Sequence, residues 1–291
     1  MTPLLEVNHL TVKFLTRSGV SEAVRDISFS LGRERLGIVG ESGSGKSVTG
    51  RSILRLIRRP GILEADSIKL EGQDLLKLSE RAMRKVRGHQ ISMIMQDPKF
   101  SLNPVMRIGD QICEAYRLHA GAGKKEAREK TLAMLETVLI RDPERVFQAY
   151  PHEMSGGMGQ RIMIAMMLIP DPKILIADEP TSALDVTVQK EVLEIMDALV
   201  RERGMGLIFI SHDLNVVSAF CDRVLIMYAG RIVETCRADR LHDATHPYTI
   251  GLLNSMPRLD RPVEYLKVLQ RDAAWDLAPG VSGIADEGDG A

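Results

Sequence analysis

An apolar run, Leu36-Gly37-Ile38-Val39, ends in Gly40-Glu41-Ser42-Gly43-Ser44-Gly45-Lys46-Ser47, and helical spacing follows at once with Val48, Ile53, Leu56 and Ile57. That order leaves little freedom. A short strand must turn through a glycine-rich loop into a helix, predicted over residues 47–59 and stopped at Arg58-Arg59-Pro60-Gly61. The spacing fits G-x-x-x-x-G-K-[ST], in which glycines let successive amides approach phosphate oxygens and the helix N-terminus adds positive potential. In such a loop, Gly40 to Ser47, Lys46 bridges the outer phosphates and the Ser47 hydroxyl ligates Mg²⁺.

The flanking sequence predicts how this unit is embedded. Leu10, Val12 and Phe14 alternate, as do Ile27, Phe29 and Leu31, with Ser18-Gly19 between them as a turn, which predicts an antiparallel region at the N-terminus. Short strands are expected at 68–70 and 91–95 around a basic helical piece at 79–87. From 108 to 118 and 124 to 139 the period is helical, with Leu132, Leu135 and Leu139 on one face. Residues 97 to about 158 therefore read as a helical subdomain inserted in an α/β core. A helix at 157–169, a strand at 174–177, a helix at 186–201 and strands at 207–210 and 224–228 restore the alternation of a mostly parallel sheet. The pattern weakens after Gly230-Arg231-Ile232-Val233-Glu234, and the Gly, Ala and Asp-rich end from about 276 reads as a disordered tail.

Two further elements carry chemistry. The strand Ile174-Leu175-Ile176-Ala177 delivers Asp178 and Glu179 to its C-terminal end, where ligands sit in open α/β sheets. Asp178 is placed to hold the magnesium shell, and Glu179 to orient and deprotonate an attacking water. Ser155-Gly156-Gly157 opens a long helical stretch and makes a second small-residue anion site. One nucleotide cannot use two complete cradles of one fold, so this turn is expected to face a nucleotide held by another subunit.

Composition excludes several classes. With 38 basic and 39 acidic side chains and a net charge of −1, the chain has no global field to attract nucleic acid. The longest apolar run, residues 162–169 between Arg161 and Pro170, is under half of the roughly 20 residues needed to span a bilayer. The N-terminus lacks a basic segment followed by a long apolar stretch, so no secretory signal is expected. Cys113, Cys221 and Cys236 are widely spaced and read as reduced side chains rather than a zinc site or disulfide frame. Methionines such as Met163, Met166 and Met167 fit core packing.

The ordered set resembles the nucleotide-binding subunit of an ATP-binding cassette (ABC) transporter. The resemblance covers residues 4 to about 235 and, through subfamily features, to about 257, and implies a P-loop NTPase (RecA-like) fold: a mostly parallel α/β core, an N-terminal antiparallel β-subdomain and an inserted helical subdomain. On that resemblance Gln96 touches the magnesium site and couples to membrane subunits, Ser182-Ala183-Leu184-Asp185 crosses a dimer interface, with Asp185 near nucleotide, and His212 senses the γ-phosphate. Phe14 takes the place of the ring that stacks on adenine; its phase with Leu10 and Val12 equally suits the core. Met158, where glutamine is usual, resembles the dipeptide, oligopeptide and nickel importer branch. Ser101-Leu102-Asn103-Pro104, Tyr150-Pro151-His152-Glu153 and His246-Pro247-Tyr248-Thr249 do so as well.

This resemblance implies an ATPase domain at 1–235, an extension at 236–291, ATP and Mg²⁺ as cofactors, and location at the cytoplasmic face of the membrane. Its partners would be a second ATPase subunit, identical or related, two transmembrane permease subunits and, indirectly, an extracytoplasmic solute-binding protein. A soluble cassette ATPase of DNA repair or translation would usually need a coiled-coil insertion or a second cassette, and this sequence has neither. A non-hydrolysing regulatory module is opposed by the intact Lys46, Asp178, Glu179 and His212.

Overall fold

A computed structural model describes residues 3–17, 19–96, 101–182, 184–255, 272, 275, 280, 281 and 283. They fall into two units, residues 1–77 with 209–291, and residues 78–208. In chain order the strands are β1 (Leu5–Thr16), β2 (Gly19–Leu31), β3 (Arg35–Val39), β4 (Gly61–Glu64), β5 (Ser67–Leu70), β6 (Gln73–Asp74), β7 (Ile91–Ile94), β8 (Ile174–Asp178), β9 (Gly206–Ser211), β10 (Arg223–Tyr228) and β11 (Arg231–Arg237). The helices are α1 (Lys46–Ile53), α2 (Glu80–Val86), α3 (Ile108–Ala120), α4 (Lys124–Thr137), α5 (Pro143–Gln148), α6 (Gly156–Leu168), α7 (Val186–Arg203), α8 (Leu214–Phe220) and α9 (Pro247–Asn254).

In the first unit, β1 anchors an antiparallel sheet of order β2-β1-β5-β6, with β4 pairing to the other half of β1. The expected alternation holds only in pieces. Val7 faces Phe29, Leu10 faces Ile27 and Val12 faces Val24, with register shifts between these pairs and a left-handed His9 (φ 53°) in the first of them. The first shift adds a residue to β1 and resets its phase, so Leu5 and Val7 before it and Leu10 and Val12 after it are all fully buried; the later two add theirs to β2. Phe14 keeps the phase of Leu10 and Val12 but is half-buried near the strand's end.

Beside this sheet in sequence, β3 is apolar and pairs parallel with β10, which pairs antiparallel with β11. Gly37 is needed here because a Cβ would lie 2.4 Å from Cγ1 of Val217 on α8. The helix after the glycine-rich loop is shorter than the predicted 47–59: Leu54 caps it, and Arg55 adopts φ 53° and donates to the Leu75 carbonyl at 3.1 Å. After residues 56–60 the chain enters β4.

The weakly patterned residues from Thr235 to Asn254 also take regular structure. β11 runs on to Arg237, a 3₁₀ stretch covers Ala238–Asp243, and α9 begins at Pro247 with the His246 ring nitrogen accepting the Tyr248 amide at 3.1 Å. Most of the tail expected to be disordered from about 276 lies outside the described residues. Of those described, Val281 donates its amide to the Ile232 carbonyl at 2.8 Å and Gly283 donates to Ser28 at 2.7 Å.

The second unit pairs β7 and β8 in parallel, both fully buried as apolar runs flanked by helices should be. Helix α6 packs on β7 and on α3, α4 and α7, and α3 and α7 end at left-handed Gly121 and Gly204. The buried face of α4 consists of Ala127, Thr131, Met134 and Leu135. Leu139, expected on that face, follows the helix end with φ 59° and is exposed, while Val138 and Ile140 turn inward. No helix among the described residues is long and apolar enough to cross a membrane. Burial raises the thiols of Cys221 and Cys236, the latter to about 11, so both are inert neutral side chains near pH 7.

Helices α3 and α5 meet at Gly109, where a Cβ would stand 2.3 Å from the Phe147 ring. Gly109→Ala is expected to destabilise the protein by about 1–3 kcal/mol through overpacking, read as a lower urea midpoint at an unchanged slope.

Candidate functional site

The glycine-rich loop leaves β3 at Gly40, whose Cα is packed so tightly that a Cβ would meet the Met227 carbonyl oxygen at 2.1 Å and Ser44 Oγ at 2.7 Å. Gly43 and Gly45 take φ values of 83° and 100°, a left-handed region that favours glycine. At Gly45 a Cβ would also lie 2.4 Å from the Ala23 carbonyl oxygen. The backbone is thus bent around a point, as a phosphate cradle requires.

Lys46 is 5% exposed, and its ammonium donates to the Gly40 and Glu41 carbonyls, both at 2.8 Å. A buried cation needs such partners, and carbonyl dipoles satisfy it without cancelling its charge. Gly45 caps α1 without any side-chain hydrogen bond, and Ser44 Oγ is buried with no partner among the described residues. An orphaned hydroxyl, glycine amides at a helix start and a buried cation suit an anion with several acceptor oxygens. Ser42 and Gly43 are exposed at the loop's tip, and Ser47 is half-buried on the first turn of α1.

Phe14 and His212 belong to the same unit. Phe14 pairs with Ser21 and Gly61 across the sheet, its ring edge 2.8 Å from where a Gly61 Cβ would be. His212 is exposed just after β9, before Asp213 caps α8 by accepting the Asn215 and Val216 amides.

The other predicted residues lie in the second unit. Asp178 ends β8 and is 1% exposed. The β7–β8 register pairs Ile94 with Ala177, and two residues further along both strands Gln96 Nε2 donates to Glu179 Oε2 at 3.0 Å. Parallel pairing explains this meeting of residues 83 apart in sequence. Glu179 itself has φ 48°, a conformation costly for a residue with a Cβ, and such strain clusters at functional sites. Its carbonyl accepts from the Ser182 amide and hydroxyl at 3.3 and 3.2 Å, closing the turn that follows β8.

Ser155 caps α6, its hydroxyl accepting the Met158 amide at 3.4 Å. Gly156 faces open space, whereas Gly157 lies against Val188, whose Cγ1 would be 2.6 Å from a Cβ there. Asp185 caps α7 by accepting the Thr187 and Val188 amides at 3.1 and 3.0 Å. The two small-residue turns are therefore joined through Val188. An ion pair of Arg161 with Glu191 adds a second tie between α6 and α7. Ala183, in the turn before Asp185, lies outside the described residues.

The ABC transporter family profile matches residues 24–182. A putative peptide import ATP-binding protein of Brucella abortus is 50% identical over 269 residues, spanning 92% of this chain and 81% of its own. The chain belongs to the ABC transporter family. The cassette is also 50% identical over 263 residues to the oligopeptide transport ATP-binding protein OppD of Bacillus subtilis, covering 89% of this chain and 74% of OppD. Among solved structures, a dimeric ATP-binding cassette in a post-hydrolysis state, bound to ADP and phosphate, shares the fold with a TM-score of 0.72. It is 24% identical and aligns over 80% of this chain and 98% of its own. The cassette is thus an ATP-binding, ATP-hydrolysing protein of this fold.

Sequence reasoning did not foresee that Tyr248 reaches the loop, its hydroxyl accepting the Glu41 amide at 3.0 Å, or that the Met227 and Ala23 carbonyls shape it. Backbone contacts leave no mark in a motif, although the His246-Pro247-Tyr248-Thr249 signature pointed to the segment. Gly40→Ala is expected to push the loop off the Met227 carbonyl, costing about 1–3 kcal/mol and weakening MgATP binding in calorimetry.

Proposed function

We propose that this cassette energises import of peptides, or of a related small solute, across the cytoplasmic membrane. It works at the cytoplasmic face with a second ATPase subunit, identical or related, and two transmembrane permease subunits. An extracytoplasmic solute-binding protein would deliver the cargo. The observation that carries this reading is the 50% identity, over about nine-tenths of the chain, to proteins named for peptide import and oligopeptide transport.

In this reading residues 1–235 form the ATPase domain and 236–291 an extension of it. Lys46 and the amides of Gly40 to Ser47 bind the outer phosphates. The Ser47 hydroxyl and the Asp178 carboxylate hold Mg²⁺, which when bound supplies the positive charge that a triphosphate needs for attack at its end. Glu179 accepts the proton of the attacking water, and Gln96 holds its carboxylate in place through a charge-assisted bond. His212 contacts the terminal phosphate, and the Phe14 ring lies on the base. Ser155, Gly156, Gly157 and Asp185 serve the nucleotide of the partner cassette, so that closure of the pair depends on ATP and hydrolysis releases it. The dimeric state of the solved cassette supports this arrangement.

The residues present fit these roles: an acid held by an amide, a buried cation with dipolar partners, and an exposed serine cap. The test is reconstitution, in which the cassette is co-expressed with candidate permease subunits and ATP-dependent peptide uptake into vesicles is measured. Uptake that does not require the cassette, or its failure to co-purify with any membrane subunit, would refute the transport reading.

Two substitutions separate binding from chemistry. Glu179→Gln is expected to bind MgATP as the parent does while phosphate release falls about 10²–10⁴-fold and a closed pair accumulates in gel filtration. Lys46→Ala is expected to weaken MgATP binding about 10–100-fold in titration calorimetry, as loss of a charge-assisted contact should.

A further inference from the structure

The peptide unit that joins Gly40 to Glu41 is held at both ends. Its carbonyl accepts from Lys46, and its amide donates to the hydroxyl of Tyr248, a side chain fully buried and 207 residues away in sequence. Tyr248 is itself fixed from several sides. Its ring lies 4.5 Å from that of Tyr228 and 6.2 Å from Trp275, centroid to centroid, and Trp275 also packs edge-on against Tyr228 and His246. Its backbone amide is capped by His246, and the His246 and Thr245 amides both donate to Glu234 of β11, at 3.3 and 2.6 Å. The loop's first peptide thus takes its orientation from residues of the C-terminal extension.

We propose that Tyr248 is a positioning residue for the phosphate loop, so that the extension sets nucleotide affinity. This rests on the nucleotide reading of the loop. Rotation of the Gly40–Glu41 peptide would turn the carbonyl away from Lys46 and move the ammonium that the phosphates must meet. With its amide pinned, the peptide cannot rotate, and the cradle is formed before ligand arrives. Without the hydroxyl, the amide seeks another partner and the loop samples other shapes.

The experiment compares the full chain with Tyr248→Phe, which keeps the ring and removes only the hydroxyl, and with Thr249→Val. The Thr249 hydroxyl is equally buried and has no partner among the described residues. In calorimetry with MgATP, Tyr248→Phe is expected to raise Kd about 3–10-fold and KM in step, with kcat held, while Thr249→Val leaves Kd at the parent value. An unchanged Kd in Tyr248→Phe, or an equal rise in Thr249→Val, overturns the proposal. If Lys46→Ala binds as the parent does, the nucleotide reading falls and the proposal with it. Loss of binding in Lys46→Ala beside unchanged Tyr248→Phe sinks the proposal alone. Should Tyr248→Phe fail to fold, amide exchange in the parent decides: slow exchange at Glu41 supports the pinned peptide, and exchange as fast as an exposed loop amide overturns it.

Discussion

The burial of the Lys46 ammonium against two backbone carbonyls is the constraint from which the loop's shape follows. A charge withdrawn from water must find dipoles, and two of them are carbonyls of the loop's own first residues, Gly40 and Glu41. To present them, the chain must leave β3, bend through Gly43 and return to α1 within a few residues, which forces left-handed backbone at Gly43 and Gly45. Gly40 and Gly45 then lie so close to the Met227 and Ala23 carbonyls that no other residue type fits. The glycines answer to packing as much as to any ligand.

The second unit solves a different problem, that of holding a carboxylate ready beyond a buried strand. All of β8 is buried, so its end can be aimed accurately, and parallel pairing with β7 fixes which residue lies beside Glu179. The strained φ of Glu179 and the amide of Gln96 act in the same direction, since both limit where the carboxylate can point. Strain that survives in a folded chain must be over-determined by its surroundings, and here the Ser182 turn and the strand supply that. The Gly157–Val188–Asp185 contact likewise ties two caps into one surface.

Much of this was legible in the sequence where local rules and packing agree. The strand, loop and helix at 36–53, the acidic end of β8, the small-residue start of α6 at Ser155 and the helices α3, α4 and α7 all follow from periodicity and turn chemistry. Reading failed where a long-range contact overrode local pattern. The extra residue of β1 between Val7 and Leu10 resets its phase, and Phe14 keeps the phase of Leu10 and Val12 yet is only half-buried near the strand's end. Arg55 ends α1 early because its guanidinium bonds to Leu75, a partner that spacing cannot reveal. Leu139 left its helix face because the helix had already closed at Val138. The α9 segment is apolar nearly all round and too short for a clear period, although Pro247 after His246 was a start signal.

That last segment bears on where the working cassette ends. The family profile stops at residue 182, yet identity to the peptide-import relatives spans 269 residues, well into the extension. Packing runs the same way. Arg223 of β10, only 9% exposed, donates to the Ser30 and Gly283 carbonyls, both at 2.6 Å, and pairs with Glu34. One guanidinium therefore binds β2, β10 and the far C-terminal end together, and its buried charge would be costly if any of these were removed. Tyr248 does at the loop what Arg223 does at the sheet: each uses a buried polar group to tie residues beyond β11 to the strands and glycine-rich loop of the first unit.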